Sequence, residues 1–416
     1  MLVEEVEKRE LGDLQLPRWG RVVAVDGVVP WEVVDPRGRP VEPIQRFLQD
    51  FTARGNRAGS VRSYAYDLLR WWRWLQVVGV KWDQATSAEV RDLTLWLSRA
   101  VKPRTLPRTT SASTVGLVNP VTGKRHLSDN YESRTIRHSN AVLRGFYEFW
   151  AQVGEGPFVN PVPLDRGHGR PAAHHNPLAP FTADGRLRYN PKLPKQKPRA
   201  MSDERWAELF KALRSNRDRA VMALAISNGA RASELLGVRM CDLDWGEQTV
   251  RVIRKGSRAE QRLPGSSEAF VWLRLYLAEL GELGPTESLW WTIRRRDRGA
   301  GLQRQPMNYE ALRAVFRRAN ALLGANWSMH DLRHTCAVRM ARDQNLSLRD
   351  VQTILGHAHL TTTADIYLVE DDDQVIHRAS QHLSERAHRA QNPPPPPKST
   401  GYDAADLSVL FGDALK

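Results

Sequence analysis

The chain has 416 residues, enough for two or three domains that each bury a core. Its 61 Lys and Arg outweigh 47 Asp and Glu, a net charge of +14 carried largely by arginine, which points to a phosphate-bearing polyanion as partner. Only Cys241 and Cys336 are present, which excludes a disulfide framework, and no apolar run reads as a membrane span or secretory signal, so a cytoplasmic protein with no membrane partner is expected.

Residues 1–40 read as an arm with a small hairpin, Arg21 to Val25 and Trp31 to Val34 flanking the turn pair Asp26-Gly27. From Val41 the pattern turns helical. Ile44, Phe47, Leu48 and Phe51 form one stripe. A second begins at Ser60, expected as its cap, and runs through Val61, Tyr64, Leu68, Trp71 or Trp72, and Leu75. Val90, Leu93 and Leu97 mark a third helix; Ile136, Val142, Leu143, Phe146, Tyr147 and Trp150 mark a fourth after Ser133. Residues 41–160 therefore read as a helical bundle, with Arg57, Arg62, Arg70 and Arg73 on its outer surface, either a solvated face or a DNA-binding one. Residues 101–132 interrupt it as a long basic loop rich in Pro, Ser and Thr. Residues 161–200 read as an interdomain linker, basic at Lys195, Lys197 and Arg199. His168, His174 and His175 in that stretch lack Cys or carboxylate companions, so no metal site is expected.

A second domain is expected over residues 201–390. Ser202 caps a helix with Trp206, Leu209, Phe210 and Leu213; Val221, Leu224 and Ala225 belong to another, which Asn228-Gly229 ends. Residues 249–254 and 258–263 read as a two-stranded hairpin, Leu273, Leu277 and Leu280 as a helix, Trp290 to Ile293 as a short strand, and Leu312 to Leu322 as a further helix. Ser328 with Asp331, and Ser347 with Asp350, are capping-box starts. Leu332, Cys336 and Met340 make the buried flank of the first of these helices, while His330, Arg333 and His334 share another side. Leu348, Val351, Ile354 and Leu355 form the stripe of the second; Gly356 suits its C-terminal cap and leaves His357 at the exit. Thr361 to Thr363 offer the next N-cap, with Tyr367 just beyond. In residues 391–416 a stiff spacer, Pro393 to Pro397, precedes Leu407, Leu410, Phe411 and Leu415 at helical spacing, a stripe that needs a groove to be buried. The expected fold is mainly α, two helical domains with a small antiparallel hairpin in the second.

The polar residues of the last helices have a common chemistry. A guanidinium grips a phosphate through paired hydrogen bonds. Imidazoles donate hydrogen bonds or move protons near neutrality. A tyrosine hydroxyl attacks phosphorus once its proton is taken, although its ordinary pKa of about 10 keeps it protonated in water.

The ordered string His330-x-x-Arg333, Leu355-Gly356-His357 and then Tyr367, ten residues past the histidine, resembles the tyrosine recombinase family: phage integrases, Xer-type recombinases, Cre-like enzymes and related transposases. Arg231-Ala-Ser-Glu234-Leu235 resembles the family's first arginine box. Arg254-Lys255-Gly256 resembles its Gly-Lys-Gly hairpin with Arg254 where glycine is usual, so Lys255 is the expected turn lysine and Arg258 the alternative.

The resemblance implies a SAM-like core-binding bundle that clamps double-stranded DNA, a linker whose Lys195, Lys197 and Arg199 follow the DNA backbone, and an α-rich catalytic domain. Arg231, Arg333 and His357 would neutralise the scissile phosphate, His330 would accept the proton of Tyr367, and Lys255 would protonate the leaving 5′-hydroxyl. Glu234 would hold the neighbourhood of Arg231, and His334 is either a phosphate contact or a packed residue. The implied product is a 3′-phosphotyrosyl link, exchanged through a four-way junction by a nucleoid-associated homotetramer whose C-terminal tail docks on a neighbour, with no metal, ATP or other cofactor. The arm, loop and tail favour a mobile-element enzyme. A non-cutting DNA-binding relative and a type IB-like topoisomerase are the alternatives.

Overall fold

The computed structural model describes residues 11–12, 14–103, 112–165, 186–193, 200–297, 301–357 and 380–386. The chain divides into two compact units, Met1–Gln196 and Lys197–Lys416.

The first unit opens with an antiparallel hairpin, β1 (Arg21–Ala24) and β2 (Trp31–Val34), in the register Arg21 opposite Val34. Four helices follow: α1 (Glu42–Ala53), α2 (Ala58–Val78), α3 (Ser87–Arg99) and α4 (Ser133–Val153). Their apolar stripes meet in one core that includes Phe47, Leu68, Trp71, Trp74, Leu93, Phe146 and Trp150. Buried indoles need a partner for their N–H. Trp71 donates to the Tyr147 hydroxyl (2.9 Å), which donates to the Trp82 carbonyl (2.9 Å). Burial pushes the Tyr147 phenol well above its ordinary pKa. Helix α2 starts earlier than the expected cap at Ser60. The extended Arg57 carbonyl already accepts from the amides of Ser60 (2.8 Å) and Val61 (3.0 Å), so Ser60 lies inside the first turn.

Segments outside the helices also join this core. Trp96 donates to the Leu14 carbonyl (2.8 Å), and Arg73 donates to the carbonyls of Trp19 (2.7 Å) and Gly20 (2.9 Å). The expected linker is not wholly a spacer: Val162 is buried, β3 (Leu164–Asp165) pairs with β4 (Arg186–Leu187), and Leu187 and Tyr189 pack on the bundle. Within the basic loop the Asn119 carboxamide oxygen accepts the amides of Val121 and Thr122, each at 2.9 Å, a side chain standing in for turn hydrogen bonds.

The second unit contains α5 (Asp203–Lys211), α6 (Asn216–Asn228) and α7 (Ala232–Leu236), then strands β5 (Leu243–Asp244), β6 (Thr249–Ile253) and β7 (Glu260–Pro264). Helix α8 (Ser267–Leu280), the short pair β8 (Arg296–Asp297) and β9 (Leu302–Gln303), α9 (Tyr309–Leu323), α10 (Met329–Arg342) and α11 (Leu348–Leu355) complete it. Helix α6 is buried on every side, as its unbroken run Ala220 to Ile226 demands, and packs against α8 and α10. The expected hairpin gains β5 as a third antiparallel strand. The expected strand at Trp290 to Ile293 shortens to one antiparallel bridge, Trp291 opposite Pro306, with the Met307 amide donating to the Trp290 carbonyl (2.8 Å) and the Thr292 amide to the Gln305 carbonyl (2.8 Å). The Trp290 indole is buried and donates to the Leu235 carbonyl (2.8 Å), and the Trp291 amide donates to the Tyr276 hydroxyl (3.0 Å).

Candidate active site

Four helix ends and one strand turn converge in the second unit. Helix α6 closes on Gly229 in the left-handed conformation (φ 62°), where a Cβ would lie 2.7 Å from Leu355 Cδ2. Arg231, two residues on, is the N-cap of α7. Glu234 folds back to accept from the Arg231 amide (2.9 Å) and from its Nη1 (2.9 Å). The same carboxylate accepts from the Lys255 amide (3.0 Å) and from Arg254 Nη1 (3.1 Å). Burial alone would raise the Glu234 pKa, but the amides of Arg231 and Lys255 and the two guanidiniums outweigh it and hold the group below its ordinary value.

Helix α10 begins with the capping box: the Ser328 amide donates to Asp331 Oδ2 (2.8 Å) and so does its hydroxyl (2.6 Å). That start places Arg333 one turn in, buried and pointing inward. Its Nη1 donates to the Gly229 carbonyl (2.6 Å) and its Nη2 to the Leu355 carbonyl (2.7 Å). Burial, then the nearby Arg231 charge, lower its pKa to about 10, so it remains a cation at neutral pH. His330 is exposed, and its Nε2 lies 2.9 Å from Nε2 of His334. That contact requires one ring to present an N–H and the other a lone pair.

Helix α11 starts on its own capping box, Ser347 with Asp350, and ends on Gly356 (φ 64°). The last carbonyls of a helix have no partner within it. Here arginines supply them. Arg254 Nη2 donates to the Ile354 carbonyl, Arg333 Nη2 to Leu355 (2.7 Å), and Arg231 Nη2 reaches Gly356 at 3.4 Å. Three guanidiniums thus line up on three successive carbonyls at the negative end of one helix dipole. His357 follows directly. Burial, then Arg333 and Arg231, with His334 and Arg254 adding to them, lower its pKa to about 4. At neutral pH it is an uncharged imidazole beside the arginines.

The structure therefore gathers Arg231, Arg333, His357 and Glu234, and joins Lys255 to them through its amide while its side chain stays exposed. Tyr367, Lys195, Lys197 and Arg199 lie outside the described residues, as does the tail. In the bundle, Arg57 is exposed and Arg62 lies over the rings of Trp31 (4.9 Å) and Tyr66 (5.7 Å). Arg70 pairs with buried Asp67, and Arg73 donates to the two N-terminal carbonyls, so both guanidiniums have partners within the protein.

Comparison with known proteins settles the lineage. The profile of the phage integrase family matches residues 199–374, and that of the phage integrase N-terminal SAM-like domain matches residues 44–115. The chain belongs to the tyrosine recombinase family. Among its curated relatives, Transposase A from transposon Tn554 of Staphylococcus aureus is 22% identical over 370 residues, 86% of this chain and 95% of the relative. The tyrosine recombinase XerC of Staphylococcus haemolyticus is 27% identical over 244 residues, 57% of this chain and 71% of XerC. Two solved structures share the fold of this recombinase. A fragment of the Tn1549 transposon integrase in complex with circular intermediate DNA superposes with a TM-score of 0.52 at 15% identity, covering 82% of this chain and 98% of that one. A lambda integrase dimer bound to a core site superposes with a TM-score of 0.50 at 14% identity, covering 78% and 94%. No helix among the described residues is long and apolar enough to cross a membrane.

Proposed function

We propose that this recombinase breaks and rejoins double-stranded DNA at specific sites through Tyr367. The observation that carries the reading is the convergence of Arg231 and Arg333, both cationic donors, on neighbouring carbonyls at the Gly356-His357 corner. A phosphodiester entering there exchanges those carbonyls for its own oxygens. Arg231 and Arg333 neutralise the charge that builds on phosphorus, and His357 adds a neutral donor. His330 takes the phenol proton of Tyr367, whose oxygen forms the new bond to phosphorus. The 5′-oxygen leaves and receives a proton from Lys255. The phosphoester bond is exchanged for a phosphotyrosyl bond, so no ATP is consumed. A 5′-hydroxyl from a partner strand reverses the step.

Support for a mobile-element substrate comes from the Tn554 transposase, which aligns along nearly its whole length. Action on two duplexes by a tetramer, with the residue 391–416 tail docked on a neighbour, and an association with the nucleoid follow from the same reading. The test incubates the protein with a nicked suicide version of the site in the DNA flanking its gene. A covalent protein–DNA adduct is expected, lost in Tyr367→Phe while binding persists. Strand exchange between two such sites separates recombination from relaxation of one duplex. Binding without any adduct would reassign the chain to a non-cutting role.

A further inference from the structure

Resting on that reading, we infer that Arg254 is a positioning residue for catalysis: it locks the Glu234 carboxylate and the Gly356-His357 corner into one rigid piece. The family resemblance places glycine at this position. Here the side chain is a guanidinium, 4% exposed.

Arg254 reaches three elements at once. Nη1 donates to Glu234 Oε2 (3.1 Å) on α7, Nε donates to Gln261 Oε1 (2.7 Å) on β7, and Nη2 donates to the Ile354 carbonyl of α11. Gln261 reinforces the same junction, its Nε2 donating to the Thr353 carbonyl (2.9 Å). The guanidinium lies against Gly356, where a Cβ would meet Arg254 Nε at 3.0 Å and Cζ at 3.1 Å. A Cβ at 356 would therefore crowd this guanidinium by a few tenths of an ångström, besides straining the left-handed backbone.

The division of labour follows from exposure. Glu234 presents one oxygen to Arg231 and the other to Arg254. The Arg231 side chain is 32% exposed and can turn a face to a phosphate, whereas the Arg254 side chain, 5% exposed, stays within the protein. Arg254 thus supplies the fixed countercharge and Arg231 the working one. A lysine could not do this, because a single ammonium cannot span three acceptors in a plane.

The test compares Arg254→Ala and Arg254→Lys with wild type, in the full chain, on the nicked suicide site. Arg254→Ala is expected to form the phosphotyrosyl adduct roughly a hundredfold more slowly, the usual cost of about an ångström of misplacement, with DNA affinity unchanged. Free guanidinium ion at millimolar concentration restores the rate, and sodium chloride or urea does not. In the DNA-free protein, the His357 imidazole followed by NMR titrates closer to its ordinary range in Arg254→Ala. A folded Arg254→Ala that cleaves at the wild-type rate overturns the inference. If Arg254→Ala does not fold, Arg254→Lys decides, and a wild-type rate in that variant overturns it equally. If wild type itself forms no adduct, the proposed function fails; an unchanged His357 titration would then sink the role of Arg254 separately.

Discussion

Around Trp71, Trp74 and Trp150 the first unit buries ring against ring, while around Arg333 the second unit buries charge against charge. The Trp82 and Trp150 rings lie 4.9 Å apart and Phe146 meets Trp82 edge-on at 5.8 Å, contacts that need no countercharge. In the second unit, Glu234, Arg254 and Arg333 are all buried and exist there only because each answers another or a helix carbonyl. The bundle buries charge as well, as in the pair of Arg70 with Asp67, but its core is held by rings and apolar stripes. The active corner is an electrostatic assembly whose geometry and charge cannot be changed separately.

The largest effects should come from removing one member of each core. Trp71→Ala is expected to cost about 3–5 kcal/mol through its cavity. Glu234→Ala should cost a similar ~3–5 kcal/mol by stranding buried cations. Urea unfolding reads both. They part in the adduct assay at equal folded population, where Trp71→Ala retains the wild-type rate and Glu234→Ala does not. Next, Arg333→Lys should slow adduct formation by about 10²–10³-fold, since an ammonium loses the fork that holds Gly229 and Leu355. A smaller effect is expected from Arg73→Ala, about 1.5–3 kcal/mol for its bonds to Trp19 and Gly20. DNA affinity measured by fluorescence anisotropy should hardly move, in contrast to an outward-facing DNA contact.

The mildest handle is acid. His357 is held at about 4, below the ordinary 6.5, so the unfolded chain takes up its proton first as pH falls. Its contribution to stability is full above 6.5 and shrinks between 6.5 and about 4. The lowered carboxylate of Glu234 adds a loss below its ordinary 4.5, because its contribution exists only while it is ionised. Hydrogen exchange of the full chain should show residues around α10 and α11 losing protection on acidification before the tryptophan core does. Equal loss in both regions would erase the contrast.

Much of this was legible in the sequence. Stripe spacing gave the helices of both units, and the arginine and histidine boxes identified the residues that meet at the end of α11. The burial of Arg254 escaped because arginine was read by its chemistry and not by its place. The signal was present: Val250, Val252 and Arg254 alternate along one strand face, and all three point inward, 0%, 2% and 4% exposed. The packing of Val162 and Tyr189 onto the bundle escaped because Pro- and Gly-rich composition says where a chain bends, not whether the bends are covered. At Trp290 a run of large residues reads as a full strand, whereas the backbone pairs at the single Trp291–Pro306 bridge and the Trp290 ring plugs the interior.

Arg333 joins the last carbonyls of two helices, Gly229 after α6 and Leu355 in α11. In the absence of DNA its guanidinium is therefore already solvated by protein oxygen. A stray sulfate or nucleotide gains little by binding, since it must displace ligands as good as itself. A duplex that brings many simultaneous contacts elsewhere along its length is expected to tip that exchange, which would leave Arg333 itself quiet toward small anions.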